Sequence, residues 1–404
     1  DRLLLSTRST PKDKVSLASS TLSMLKSKLN RVKDVEEKRD RKGKILNIAY
    51  GLPQDEDAET IFDAIEYYAW LIGRTINQDF LGVFPKYYLS FPVEYSKDKC
   101  EALRSSFERG LRKSFPASIY HSPLFDQHFS VSLHVAEPVA FAAASLGLEE
   151  GGIVLEDEDD AEEFFAVFDV GGGTSDFFFG KYRWSLEEGD EADYEEVIES
   201  FGSHGIKELG GEHILHYLAF LVVKSNQGIF RKHSIPFVKP DNARLEEVLG
   251  LDRLFSQVSL GEVNKQVLMI ELRKIFELTD LKSPNISCNL LTTDHEIFTI
   301  DLEVPFQEIF SYLRDEFVNG VKTFVTSMKG ILEKFDDHIS RVNIIRSGNT
   351  CRSLFLRKIF NDELDLEREL SGVTGEVGEL LKSTLTELPT LDQIMRDVYR
   401  DADN

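Results

Sequence analysis

Only three cysteines occur in the 404 residues, Cys100, Cys288 and Cys351, and they stand far apart with no metal-ligand spacing. A reducing compartment is the expectation. Long hydrophobic runs are also missing. No apolar stretch approaches the ~20 residues that span a bilayer, and the opening does not resemble a signal peptide. Positive charge is scarce after residue 44. Residues 1–44 carry 13 Lys and Arg against 6 Asp and Glu, a net of +7, which leaves −30 for the rest and −23 for the whole. So acidic a body argues against general affinity for nucleic acid or anionic membrane. No tandem repeat at a solenoid period is present. The chain opens on Asp rather than Met, so a fragment or a processed product is expected, soluble and cytoplasmic.

Apolar residues are plentiful instead. Hydrophobic content is 42% and there are 29 phenylalanines, enough for two or more domains or lobes with sizeable cores. The chain is organised around residues 164–179, where the run Phe164–Val170 reads as a buried strand and Phe177–Phe179 begins another. Gly171, Gly172, Gly173 and Thr174 join them. Glycine admits positive φ and close approach, so such a turn can aim several N–H groups at an anion. Asp169 and Asp176 close the two sides, where a plain hairpin would favour one Asn-Gly or Asp-Gly pair. Two carboxylates beside a phosphate cradle make sense with a divalent cation between them and the phosphates. The plainer alternative is a tight hairpin with solvated acids.

Residues 1–20 read as linker. From Thr21, Leu22, Leu25, Leu29, Val32 and Val35 mark an amphipathic helix with a basic polar face. Lys44–Tyr50 reads as a strand, and the acidic turn Gln54–Glu59 precedes helical periodicity from Ile61. Strands are expected at Tyr87–Val93 and Val131–Val135. A helix capped by Ser96 is expected between them, and another opens at Glu137-Pro138. Residues 149–163 read as an acidic loop. Further on, a strand at Tyr194–Phe201 precedes a helix at Ile214–Val223, then an inserted subdomain at about 224–305 that contains a helix at Val263–Leu278 and strands at Ile286–Leu291 and Ile297–Leu302. A long helix from Phe306, a strand at Val342–Arg346 and a helix at Ser353–Ile359 complete the second lobe. Residues 361–404 read as a polar helical tail.

Five motifs fall in one order: Leu89–Val93, Glu137-Pro138-Val139-Ala140, Asp169–Asp176, Leu209–Glu212 and Ile344–Thr350. Together they resemble the nucleotide-binding domain of the seventy-kilodalton heat-shock chaperones (DnaK-like), within the actin, hexokinase and chaperone superfamily. The resemblance covers roughly residues 45–360. It implies an α/β, two-lobed actin-like ATPase fold, with mixed sheets flanked by helices around a nucleotide cleft. The first lobe would take residues 45–163 and the second residues 164–360. By matching position, Asp169 resembles the magnesium-site aspartate acting through water, and Asp176 an acid that binds a monovalent cation or metal water. Gly171, Gly172 and Gly173 would face the β- and γ-phosphates, and Thr174 the γ-phosphate. Glu137 resembles the carboxylate that orients the attacking water. Gly210 and Gly211 resemble a phosphate and ribose contact. Lys274 and Glu271 fall near an adenosine-contacting pair, and Gly348 belongs to the adenosine motif.

That motif, Gly-Gly-Ser-Thr-Arg-Ile-Pro in the family, stands here as Ser347-Gly348-Asn349-Thr350-Cys351-Arg352-Ser353, without the first glycine and with the arginine displaced. A first phosphate loop of the type Asp-Leu-Gly-Thr-Thr is not found before residue 45, nor a closing Pro-Asp-Glu-Ala-Val-Ala helix after residue 360. The resemblance implies ATP or ADP with Mg²⁺ as ligands, hydrolysis of ATP, and lobe motion coupled to a protein partner or client. The alternative is a nucleotide-binding or scaffolding module that keeps the fold without efficient catalysis. A sugar kinase is a weaker third reading.

Overall fold

Strand alternation and helical periodicity produce a mixed α/β chain. Its computed structural model describes residues 35–400 apart from 40–44, 52–60, 80–82, 94, 147–152, 154, 156–161, 186–194, 208, 245–250, 256–257, 278–283, 335–338, 340, 362–363 and 374. The basic helix expected from Thr21, the acidic turn Gln54–Glu59 and most of the acidic loop lie outside the described residues. Two units partition the chain, Asp1–Ala144 and Ser145–Asn404. The division falls earlier than the expected boundary at 163/164.

In the first unit, β1 (Glu36–Arg39) runs antiparallel to β2 (Ile45–Ala49), which β3 (Phe62–Asp63) joins in parallel. β1 corrects the reading of residues 1–44 as linker and helix only. Its residues pair from Glu36 opposite Ile48 to Arg39 opposite Ile45, so a ladder satisfies their backbone groups. Helical periodicity begins at Ile61, yet α1 (Ala64–Asp79) starts only after Asp63. The Asp63 carboxylate accepts from the amides of Gly51 (3.1 Å) and Ile65 (3.0 Å) through Oδ1. Its Oδ2 meets Ser106 Oγ at 2.6 Å and Arg109 Nη2 at 2.9 Å. With its side chain 2% exposed, this acid is stable in the interior only because these donors replace water.

β4 (Lys86–Phe91) leads into α2 (Lys97–Lys113), whose cap Ser96 accepts from Lys99 N at 3.4 Å. α2 packs on α1 through Gly110, where a Cβ would stand 2.1 Å from the Glu66 carbonyl. Two single turns, α3 (Ala117–Tyr120) and α4 (Phe125–His128), precede β5 (Ser130–Ala136), which pairs in parallel with β4. α5 (Glu137–Ser145) follows β5 without an intervening residue.

The second unit is built on a four-stranded mixed sheet. β6 (Glu162–Val170), β7 (Ser175–Trp184) and β8 (Glu196–Ile206) form an antiparallel meander, and β11 (Asn343–Ser347) adds in parallel beside β6, giving the order β11-β6-β7-β8. The intervening chain forms α6 (Gly211–Ser225), α7 (Gln227–Lys232), α8 (Val258–Phe276), the hairpin β9 (Asn285–Leu291) and β10 (Ile297–Glu303), and α9 (Phe306–Leu332). Period-two geometry puts Ala166, Phe168, Val170, Phe177 and Phe179 on one face of the sheet. On that face Phe168 stacks on Phe177 at 5.2 Å, and Phe324 of α9 meets both rings edge-on at 5.2 and 5.3 Å. Each such ring pair adds about 0.5–1.5 kcal/mol beyond its area burial.

Among its described residues, the segment expected as an inserted subdomain shows no separate core. Phe230, Phe237, Leu254, Leu268 and Leu290 belong to the same buried cluster as Phe168 and Phe324. Nor is the C-terminal stretch a tail. After β11 come α10 (Leu354–Phe360), α11 (Leu366–Glu369), α12 (Gly375–Thr386) and α13 (Leu391–Arg400). α12 and α13 pack on α9, with Leu381, Leu385 and Ile394 fully buried. Their apolar stripes, diluted by Glu, Lys and Arg on the outer side, make the segment look solvated by composition alone.

Candidate functional site

The β6–β7 turn is the focus of the second unit. Gly171 N–H donates to Thr174 O at 2.9 Å and closes the turn. The first amides of α6 are aimed at it from one side: Gly211 N–H donates to Gly171 O at 3.0 Å and Glu212 N–H to Gly172 O at 2.8 Å. From the other side the segment after β11 reaches in, with Thr350 Oγ1 donating to Gly171 O at 3.1 Å and Cys351 Sγ to Phe168 O at 3.6 Å. Burial, then the nearby Asp169 carboxylate, push the Cys351 thiol up to about 12. Ser175 Oγ also donates to Leu209 O, tying β7 to the start of α6. Three separated sequence motifs, Asp169–Asp176, Leu209–Glu212 and Ser347–Thr350, thus meet at one turn.

The glycines there are of two kinds. Gly210, Gly211 and Gly348 are required by the protein's own packing. A Cβ would lie 2.5 Å from Gly173 C at Gly210, 2.6 Å from Thr350 Oγ1 at Gly211, and 2.2 Å from Val170 O at Gly348, whose φ is +83°. Gly210 and Gly211 are buried, and the Gly211 amide is already bonded. Gly172 and Gly173 differ. Neither has positive φ, so the conformational reason for glycine does not apply. A Cβ at Gly173 would meet nothing within 4 Å, and one at Gly172 only Glu212 Cγ at 3.6 Å. Among the described residues, no backbone carbonyl accepts from either amide. Here a Cβ would fill open space beside two unengaged donors.

Asp169 and Asp176 are directly opposed in the β6–β7 ladder, so both project from the sheet face away from Phe168 and Phe324. Like charges directly opposite one another are destabilising. Asp176 is 3% exposed and accepts from Thr174 Oγ1 at 2.9 Å. In that arrangement the Thr174 proton is committed to Asp176, and the hydroxyl presents only lone pairs outward. Gly348 makes room for the first acid, since a Cβ there would come 2.6 Å from Asp169 Oδ1. The opposed acids and the open turn fit a hydrated divalent cation carrying phosphate. Among the described residues, no group of three or more His, Cys, Asp and Glu side chains could hold a metal by itself.

Lys274 Nζ meets Glu271 Oε2 at 2.5 Å on α8. Glu271 also acts on the β9 face of that helix, where burial first and then Glu271 and Asp301 push the Cys288 thiol up to about 12. One residue before Lys274, Arg273 reaches the start of α6 and pairs with Glu212. Arg273 carries no sequence signal, because its partner is 61 positions away. Thr350 and Ser175 were legible only as members of motifs. Glu137, in the first unit, opens α5 and lines a cavity with Tyr68, Tyr88, Pro92 and Tyr95.

The sequence matches no protein-family model and no curated protein.

Proposed function

We propose that this chain is a nucleotide-binding module that holds the phosphates of Mg²⁺·ATP or ADP at the Gly171–Thr174 turn. In this reading it resembles the seventy-kilodalton heat-shock chaperone ATPases, hydrolyses ATP and passes lobe motion to a protein partner. The observation that carries the reading is the pair Gly172 and Gly173. Neither backbone conformation nor internal packing requires glycine there, and both amides are available to an anion beside two opposed carboxylates. Asp169 and Asp176 would hold the cation, whose charge would offset that of the phosphates. The Gly172 and Gly173 amides would bind phosphate oxygens. When bound, Mg²⁺ neutralises charge on the phosphates, and phosphoryl transfer needs such positioning more than covalent chemistry.

Titration calorimetry with ATP and ADP, with and without Mg²⁺, tests this directly. Mg²⁺-dependent binding is expected, and Asp169→Asn should abolish turnover. Hydrolysis by that variant at the wild-type rate would remove the metal assignment. A second reading, a module that binds nucleotide without turning it over or serves only as a scaffold, is favoured by the Thr174 hydroxyl and the Gly211 amide being engaged internally. Binding without turnover supports it. No binding by the folded chain would overturn the nucleotide reading and leave the scaffold.

A further inference from the structure

We propose that the second unit carries a further site, a polar groove that takes the carboxylate end of an extended peptide. The groove has a volume of about 670 Å³, within the ~300–1,000 Å³ usual for ligand sites. α9 supplies one wall. Tyr312, Asp315, Asn319 and Lys322 line it at spacings of three, four and three, so they share one helix face. At about 1.5 Å per residue that stripe is about 15 Å long. Asn242, from the segment between α7 and α8, and Pro389, from the turn between α12 and α13, face the same space. The aromatic end is anchored in the core. Tyr312 stacks on Tyr217 at 4.2 Å, and Tyr217 is held edge-on against the fully buried Phe220. None of these residues belongs to the Gly171–Thr174 turn.

Charge and hydrogen-bonding capacity select the guest. The Arg314 guanidinium is already committed, with Nε 3.0 Å from Asp315, Nη1 3.6 Å from Glu387 and Nη2 donating to Ser311 Oγ at 3.3 Å. Arg244 and Glu316, also in the lining, add one charge of each sign. Lys322 is different. Among the described residues no carboxylate pairs with it, and no group bonds the side-chain amides of Asn242 and Asn319. Lys322 lies about 9 Å along the axis from Glu316, beyond the ~8 Å Debye length at physiological salt, so the acids only weakly oppose an anion there. The open capacity is therefore one ammonium and two amides. A single ammonium matches a monocarboxylate, whereas a phosphate dianion asks for more than one free cation. Each carboxamide offers both donors and an acceptor, the complement of a peptide bond's C=O and N–H. An extended chain advances about 3.3 Å per residue. With its carboxylate at Lys322, its peptide bonds pass the two amides. A ring three residues upstream then meets Tyr312, the lysine stem covering the rest of the distance.

The test uses the full chain and no nucleotide, so its failure is separate from failure of the phosphate reading. Acetyl-Tyr-Ala-Ala-Gly with a free carboxylate, the same peptide as its C-terminal amide, N-acetylglycine and inorganic phosphate are titrated by calorimetry. The free-acid peptide should bind at least about tenfold more tightly than its amide, the range of one charge-assisted hydrogen bond. Lys322→Met should remove that difference while leaving the melting temperature unchanged, because the side chain is exposed. Asn319→Ala should weaken both peptides alike, by about fivefold. Equal binding of the acid and the amide, full affinity in Lys322→Met, or no binding of the free-acid peptide at millimolar concentration overturns the proposal. So does N-acetylglycine or phosphate binding as tightly as the peptide, which would leave a plain anion site.

Discussion

At the turn between β6 and β7, neighbouring glycines serve different ends, and substitution separates them. Gly210→Ala pushes a methyl group to 2.5 Å from the Gly173 backbone, which cannot move aside as a flexible side chain would. Overpacking of this kind costs about 1–3 kcal/mol, visible as a lower urea midpoint. Gly173→Ala meets only open space, so the urea midpoint should stay within error. If the turn binds phosphate, the same change should weaken nucleotide binding roughly tenfold by blocking close approach. A Gly173→Ala variant with unchanged affinity would place the phosphates elsewhere. The sequence identified this turn because Gly-Gly-Gly-Thr between two apolar runs is a local pattern. It did not distinguish Gly210 from Gly173, since that depends on which backbone comes up against each.

Among the elements, α6 and α8 owe their placement to polar groups that periodicity does not reveal. Asn264 of α8 donates to Pro236 O at 2.8 Å and to Leu291 O at 2.9 Å, tying the segment after α7 to β9. Beside it, His216 of α6 lies 2.9 Å from Val238 O. Burial first, then the Lys265 charge, push this imidazole down to about 4, against the Val238 hydrogen bond and the Glu262 and Asp241 charges. A folded value below the unfolded 6.5 means that the unfolded chain takes up this proton first as pH falls. Stability should therefore decline from about pH 6.5 to about pH 4 and gain no further loss from this group below that. The whole effect is on the order of 3 kcal/mol. Urea titrations across this range should show a shallower fall in His216→Asn than in wild type, and parallel curves would exclude His216 as the source. Most element boundaries were legible, because capping and periodicity act within a few residues. α12 and α13 show the limit of that: composition marks them as helices, and only contact with α9 makes them core.

For the whole molecule, the buried clusters follow the division into two units. Ala166 through Ile394 supply one continuous core in the second unit, and the first unit has its own small clusters around Phe125 and Ile48. A fragment spanning residues 145–404 should therefore fold alone, with one cooperative transition and dispersed amide resonances. A fragment lacking such a transition would mean that the first unit completes its core. Among the described residues no helix is long and apolar enough to cross a membrane, as the absence of long hydrophobic runs suggested. By itself the sequence determined most of the longer strands and helices and the glycine turn with its two acids, because these follow from side-chain period, turn chemistry and composition within short windows, whereas short elements such as β1 and β3 were not legible. Tertiary structure alone decided that Glu212 is held by Arg273, that Ser175 is tied to Leu209, that Asp63 can be buried against Arg109, and that residues 366–400 close the core. Each of those depends on groups from distant parts of the chain meeting within a few ångströms, and local preference carries no information about which distant groups will meet.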